Sequence, residues 1–152
     1  MPKTYRAAII GAGSQRPNGH WGGMGRGHAH GYHVHPRAKL VAVSDIKLEN
    51  AAALGEEYGA EALYTNHRNM LKEMDIDIVS VCTWPETHCK IVQDCARASV
   101  KAIHSEKPMA PTWGEAQRMA AACEKAGVQL TFNHQRRFLE SFQRARELAN
   151  DG

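Results

Sequence analysis

The sequence predicts a doubly wound α/β fold with a mainly parallel sheet, and three observations carry that expectation. Short apolar runs alternate with amphipathic stretches, Gly11 and Gly13 stand where the first apolar run ends, and the acidic Asp45 ends the second. The first run, Tyr5 to Ile10, is followed by Lys39 to Ser44, Asp77 to Cys82, Lys101 to His104 and Val128 to Phe132. Such continuous apolar runs, bounded by polar or turn residues, read as parallel strands buried on both faces.

The stretches between them carry helical spacing. Pro85 suits a first helical position, and Ile91, Val92, Cys95, Ala96 and Ser99 follow on one face. Thr112 and Glu115 make a capping-box pair ahead of Ala116, Met119, Ala120 and Cys123, and Gly127 stops that helix. Ala51, Leu54 and Tyr58 before Gly59 mark another helix, Met70, Leu71 and Met74 a shorter one, and Phe138, Phe142, Ala145 and Ala149 a last one.

A chain of 152 residues, 43% hydrophobic and 23% charged, suits one globular domain spanning residues 1–152. Its 19 basic and 16 acidic side chains leave a net charge of only +3 and form no like-charge run, which argues against nucleic acid as a partner. Met1 to Arg6 passes straight into a strand without the pattern of a signal peptide, and no apolar run approaches membrane-spanning length. No membrane association is expected. Cys82, Cys89, Cys95 and Cys123 lack the close paired spacing of zinc or redox sites, so they read as reduced thiols of a cytoplasmic protein.

Glycines where a first strand turns into a first helix let a pyrophosphate approach the helix amides. Gly11 and Gly13 stand there, but Arg16 occupies the place of a third glycine. If Ser14 to Gly22 are an insertion, the turn resumes as Gly23-Met24-Gly25, and Asp45 then falls about 20 positions after Gly25, the interval expected for a ribose-binding acid. This is the pattern of a Rossmann-type dinucleotide-binding domain. Asp45 would accept hydrogen bonds from the adenosine ribose and repel a 2′-phosphate, favouring NAD, while Lys47 and Arg16 keep NADP open. The alternative is that Asp45 only caps the next helix and the glycines only shape a loop.

Further residues gather at strand ends, where open α/β sheets bind ligands. These are Thr83-Trp84-Pro85-Glu86-Thr87-His88, Ser105-Glu106-Lys107-Pro108, and Asn133 with Arg136-Arg137-Phe138. Together with the glycines, they resemble the glucose–fructose oxidoreductase, inositol dehydrogenase and rhizopine-catabolism (Gfo/Idh/MocA) family over the whole chain, the Glu-Lys-Pro segment being the most specific element. The resemblance implies an NAD(P)-dependent oxidoreductase acting on a sugar or polyol. It gives Lys107 a place beside the nicotinamide and the substrate as catalytic acid or base, a role that suits proton exchange with an alcohol. By resemblance, Thr83 and His88 line the nicotinamide half, Glu106 supports it, and Asn133 and Arg137 face substrate, while the Trp84 indole either stacks on the nicotinamide or fills the loop. Without the resemblance, Lys107 reads as a solvated lysine paired with Glu106, and His88 as a helix-packing residue.

The chain departs from the family pattern at the Ser14 to Gly22 insertion and at Trp84, where proline is usual, and, since family members continue into a substrate-binding second domain, that domain is expected to be absent here. That domain normally covers part of the surface, so self-association into a homo-oligomer is an expectation, and a non-catalytic NAD-sensing or assembly module is a competing reading. A third reading is metal binding by His28, His30, His33 and His35, with His20 just before. Only His28 and His35 would share a helix face, no cysteine or acid joins them, and a packing role for His28 is favoured, so no metal is expected.

Overall fold

A computed structural model describes residues 2–15, 21–98 and 100–151. Strand β1 (Tyr5–Ile10) leads into a two-stranded antiparallel hairpin, β2 (Ser14–Gln15) and β3 (Trp21–Gly22). Then follow α1 (Gly25–Val34), β4 (Ala38–Ser44), α2 (Leu48–Tyr58), β5 (Ala62–Tyr64), α3 (His67–Glu73) and β6 (Ile78–Val81). The chain continues through α4 (Pro85–Arg97), β7 (Ala102–Ser105), α5 (Trp113–Ala126), β8 (Gln129–Phe132), a 3-10 turn (Gln135–Phe138) and α6 (Glu140–Asn150). The main sheet has the order β5-β4-β1-β6-β7-β8 and every pairing in it is parallel. The chain winds outward from β1 to β5, then returns to β6, so the switch point lies between β1 and β6, where such sheets open a ligand crevice. The doubly wound expectation holds.

Two apolar layers fill the faces of the sheet. On one, Ile9, Leu40 and Val43 meet Ala29 of α1 and Ala51 and Leu54 of α2. On the other, Ala8, Val41, Val79 and Ile103 meet Met70, Val92, Cys95 and Met119 of α3, α4 and α5. Leu40 and Val43, three apart, share a face because the β1–β4 register skips Val41, a bulge that simple alternation does not anticipate. The expectation that all strands are buried fails at β8, an edge strand whose residues are only half-buried or exposed. Strand β5 was not anticipated, since three residues carry too little pattern.

The helix signals hold in detail. Pro85 opens α4, and Thr112 Oγ1 accepts a bond from the Glu115 N–H at 3.3 Å while its hydroxyl donates to Glu115 Oε2 at 2.9 Å. Ser99, expected on the apolar face of α4, lies outside the described residues. The last helix begins later than expected, with Phe138 in the 3-10 turn, and α6 buries no residue. No helix among the described residues is long and apolar enough to cross a membrane. All four cysteines are free, and burial pushes the Cys82, Cys95 and Cys123 thiols up.

A buried carboxylate ties α3 to α4. Asp94 accepts bonds from His67 Nε2 at 2.9 Å and Arg68 Nε at 2.8 Å and also pairs with Arg97. Burial alone would raise its pKa, but the bonds from Arg68, His67 and Arg97 outweigh that and lower it to about 2. Its stabilising contribution is therefore full above the unfolded value of about 4 and lost as the pH falls through about 2. Asp94→Asn is expected to lower the melting temperature by roughly 4–9 °C at neutral pH, a loss of about 2–3 kcal/mol. The gap to the unmodified chain should close in calorimetric scans at successively lower pH over that window.

Candidate functional site

The glycine turn is built by close backbone approach at the switch point. Gly11 has φ +92°, donates its N–H to Ser44 O at 2.8 Å, and a Cβ there would lie 2.8 Å from the Cys82 carbonyl and 2.9 Å from Thr83 Cγ2. Gly25, the first residue of α1, sits so close to the turn that its Cβ would lie 2.5 Å from the carbonyl oxygens of both Gly11 and Ala12. A Cβ on Gly23 would come within 3.1 Å of Gly13 Cα. The hairpin of β2 and β3 thus returns the chain to the point it left, and the two halves of the glycine turn stand together. Met24 precedes α1 without making a side-chain cap, and the first turn of α1 carries no acidic residue. Arg16 and His20 lie outside the described residues.

Asp45 stands at the end of β4 with its carboxylate aimed across to this turn. Oδ2 accepts from the Ala12 N–H at 2.9 Å, and Oδ1 accepts from the Lys47 N–H at 3.0 Å and Asn50 Nδ2 at 3.2 Å. The carboxylate therefore braces the glycine turn and bonds Lys47 and Asn50 beside the start of α2, whose N-cap, Lys47, carries no side-chain cap of its own. The glycines form a cradle that side chains would fill, and an acid stands at its edge, an arrangement that fits a dinucleotide.

The other half of the crevice is set by the ends of β6, β7 and β8. His88 is fully buried in α4, its Nε2 3.0 Å from Thr83 O and its Nδ1 3.0 Å from Pro108 O. It braces the loops after β6 and β7 from beneath, which puts its ring behind the crevice wall. Thr87 Oγ1 donates to Thr83 Oγ1 at 2.7 Å, and Trp84 is 80% exposed at the head of α4, so the indole stands free of the loop interior. Lys107 is exposed after β7, and its Nζ has no bond or ion pair among the described residues. The pairing of Lys107 with Glu106 is not made, because the Glu106 carboxylate turns inward. Arg137 lies on the exposed 3-10 turn beyond Asn133, its N–H bonded to His134 O at 3.0 Å.

Beneath the strand ends, Glu106 Oε1 lies 2.9 Å from His28 Nε2 and accepts from Asn133 Nδ2 at 2.6 Å. Burial would raise the Glu106 carboxyl, but the bonds from Asn133 and His28 hold it below the usual range. His28 Nδ1 meets Ser80 Oγ at 2.9 Å, and Ser80 Oγ meets Tyr32 OH at 2.7 Å. Burial, against the Ser80 bond, pushes Tyr32 up to about 12. His104, pushed down by burial and by neighbouring His28, contacts Thr131 Oγ1 at 2.8 Å. Sequence reading missed Ser80, His104 and Thr131, whose one signal is a polar residue placed within an apolar strand, and Tyr32, which lies on α1 and carries no such signal. These side chains line a hollow of about 730 Å³ between α1 and the β6–β8 half of the sheet. The remaining histidines do not converge: His30 and His33 rest edge-on to Tyr58, and His35 accepts the Arg37 N–H at 3.2 Å. Among the described residues no three His, Cys, Asp or Glu side chains are grouped to hold a metal ion.

A family model described as an oxidoreductase family with an NAD-binding Rossmann fold matches residues 5–134. The chain is 33% identical over 150 residues to a D-apiose dehydrogenase of Paraburkholderia graminis, covering 99% of this chain and 37% of that protein. It is 30% identical over 131 residues to a myo-inositol 2-dehydrogenase of Thermotoga maritima, covering 86% and 39%. Among solved structures it is similar to the WlbA dehydrogenase from Bordetella pertussis in complex with NADH and UDP-GlcNAcA, with TM-score 0.81, 28% identity, and coverage of 99% of this chain and 43% of that one. The myo-inositol 2-dehydrogenase from Lactobacillus plantarum superposes with TM-score 0.84 at 25% identity, covering 99% and 42%. The chain thus spans about two fifths of the length of these relatives.

Proposed function

The chain belongs to the Gfo/Idh/MocA oxidoreductase family, with its NAD-binding Rossmann fold, and on that premise we propose that it is the cofactor-binding part of a dehydrogenase for sugars or polyols. The observation that carries this reading is the division of labour at the Glu-Lys-Pro segment: Glu106 turns inward to the protein while Lys107 is exposed just past the end of β7, its Nζ without a bond among the described residues. A bound nicotinamide supplies a hydride acceptor. Lys107 exchanges a proton with the alcohol oxygen, Asn133 and Arg137 orient the hydroxyls of the substrate, and Thr83 and Trp84 flank the nicotinamide end. Gly11, Gly13, Met24 and Gly25 receive the pyrophosphate. The names of the relatives, which act on apiose and inositol, support a polyhydroxylated substrate.

Asp45 selects NAD. Its carboxylate is fixed by Ala12, Lys47 and Asn50 at the turn's edge, a placement from which it accepts bonds from ribose hydroxyls and repels a 2′-phosphate. Fluorescence titration is expected to give an NADH dissociation constant at least about tenfold below that for NADPH. Asp45→Ser should bring the two within about threefold by removing both the acceptor and the repulsion. Equal affinities in the unmodified chain would assign the dominant charge to Lys47 instead, and binding of neither cofactor would end the functional reading.

A further inference from the structure

His28, Glu106 and Asn133 come from α1, the end of β7 and the end of β8, yet their side chains meet beneath the crevice. The His28 and Glu106 side chains are each 7% exposed. A carboxylate so withdrawn from water needs directed partners, and Glu106 divides them between its two oxygens. Oε1 takes His28 and Asn133, whereas Oε2 accepts the backbone N–H of Lys107 at 3.3 Å. One oxygen holds the first helix and the last strand; the other holds the backbone of the lysine.

Helix packing alone does not require this bridge, because α1 already seats Ala29 against Ile9 and Leu40. His28 is also held from behind, through Ser80 on β6, which in turn bonds Tyr32 one turn further along α1. Its ring is thereby clamped at both nitrogens, leaving little freedom for Glu106 to turn.

We propose that His28 and Asn133 are positioning residues that act through Glu106, fixing the backbone of Lys107 relative to the helix that begins at the glycine turn. The inference rests on the reading of Lys107 as the residue that serves the substrate. It makes cofactor binding at α1 and the placement of the lysine two consequences of one bridge.

Two readouts on the full chain test it: NADH affinity, and the acetylation rate of Lys107 relative to Lys90 under brief acetic anhydride treatment, read by mass spectrometry. His28→Leu is expected to weaken NADH about tenfold and to change the Lys107 ratio at least about threefold, as loss of a charge-assisted bond implies. His28→Gln, whose amide can donate to Glu106, should restore both to within about twofold of the unmodified chain. Should His28→Leu fail to fold, Asn133→Ala carries the same expectation from the half-buried side of the cluster. A lowered melting temperature with both readouts unchanged overturns the proposal, because the bridge would then only hold the helix. If the unmodified chain binds no NADH, the functional reading falls, while the labelling ratio in the unliganded chain still decides whether the bridge sets Lys107.

Discussion

Gly25→Ala is expected to lower the melting temperature by roughly 6–12 °C and to remove NADH binding at concentrations that saturate the unmodified chain. The added methyl would lie 2.5 Å from two carbonyl oxygens, those of Gly11 and Ala12. Neither can retreat. Gly11 is bonded to Ser44, its other side is closed by the Cys82 carbonyl, and the Ala12 N–H is held by Asp45. The helix must lift instead, which costs about 3 kcal/mol and moves its first turn away from the glycines. Gly31→Ala, in the same helix with nothing within 4 Å of the new methyl, separates this clash from helix propensity. It should raise the melting temperature by roughly 1–4 °C and leave NADH affinity alone. Thermal melts by circular dichroism and NADH titrations of both variants check the pair; a parallel response would show that close approach is not the reason for Gly25.

Lys107→Ala is expected to reduce NADH formation from a sugar or polyol by about 10²–10⁴ in turnover, read at the nicotinamide absorbance of the active protein. Folding should survive, since Lys107 is exposed and its Nζ has no ion pair among the described residues. Lys107→Arg should not restore the rate, because a guanidinium keeps its proton. A change confined to KM, with turnover intact, would reduce the lysine to a binding contact.

Both variants act at positions that a linear reading marks, and the contrast with what it does not mark is instructive. Gly11, Gly13, Gly25 and Asp45 are legible because their requirements are local: a turn, a close approach, and a fixed interval to the next strand end. Pro85, Thr112 and Gly127 are legible for the same reason, as helix starts and stops. Residues whose role depends on long-range meeting are not. His28 and Glu106 stand 78 positions apart, and nothing near either one announces the other. The inward turn of Glu106, and hence the absence of a side-chain pair between Glu106 and Lys107, follows from that meeting. Ser80 looks like one polar interruption of an apolar strand until Tyr32 and His28 close over it. The exposure of β8 depends on sheet order, which is a property of the whole chain.

The hairpin of β2 and β3 has a consequence for how this fold tolerates change. Antiparallel pairing of Ser14 with Gly22 and Gln15 with Trp21 delivers the chain back beside Gly13. Whatever length is added between those pairs leaves the spacing of Gly13 and Gly23 as it was, and a longer loop adds only a slowly growing entropy of closure. The stretch between those pairs is therefore a natural graft point, where peptide epitopes or fluorescent labels can be carried while Gly13 and Gly23 keep their spacing.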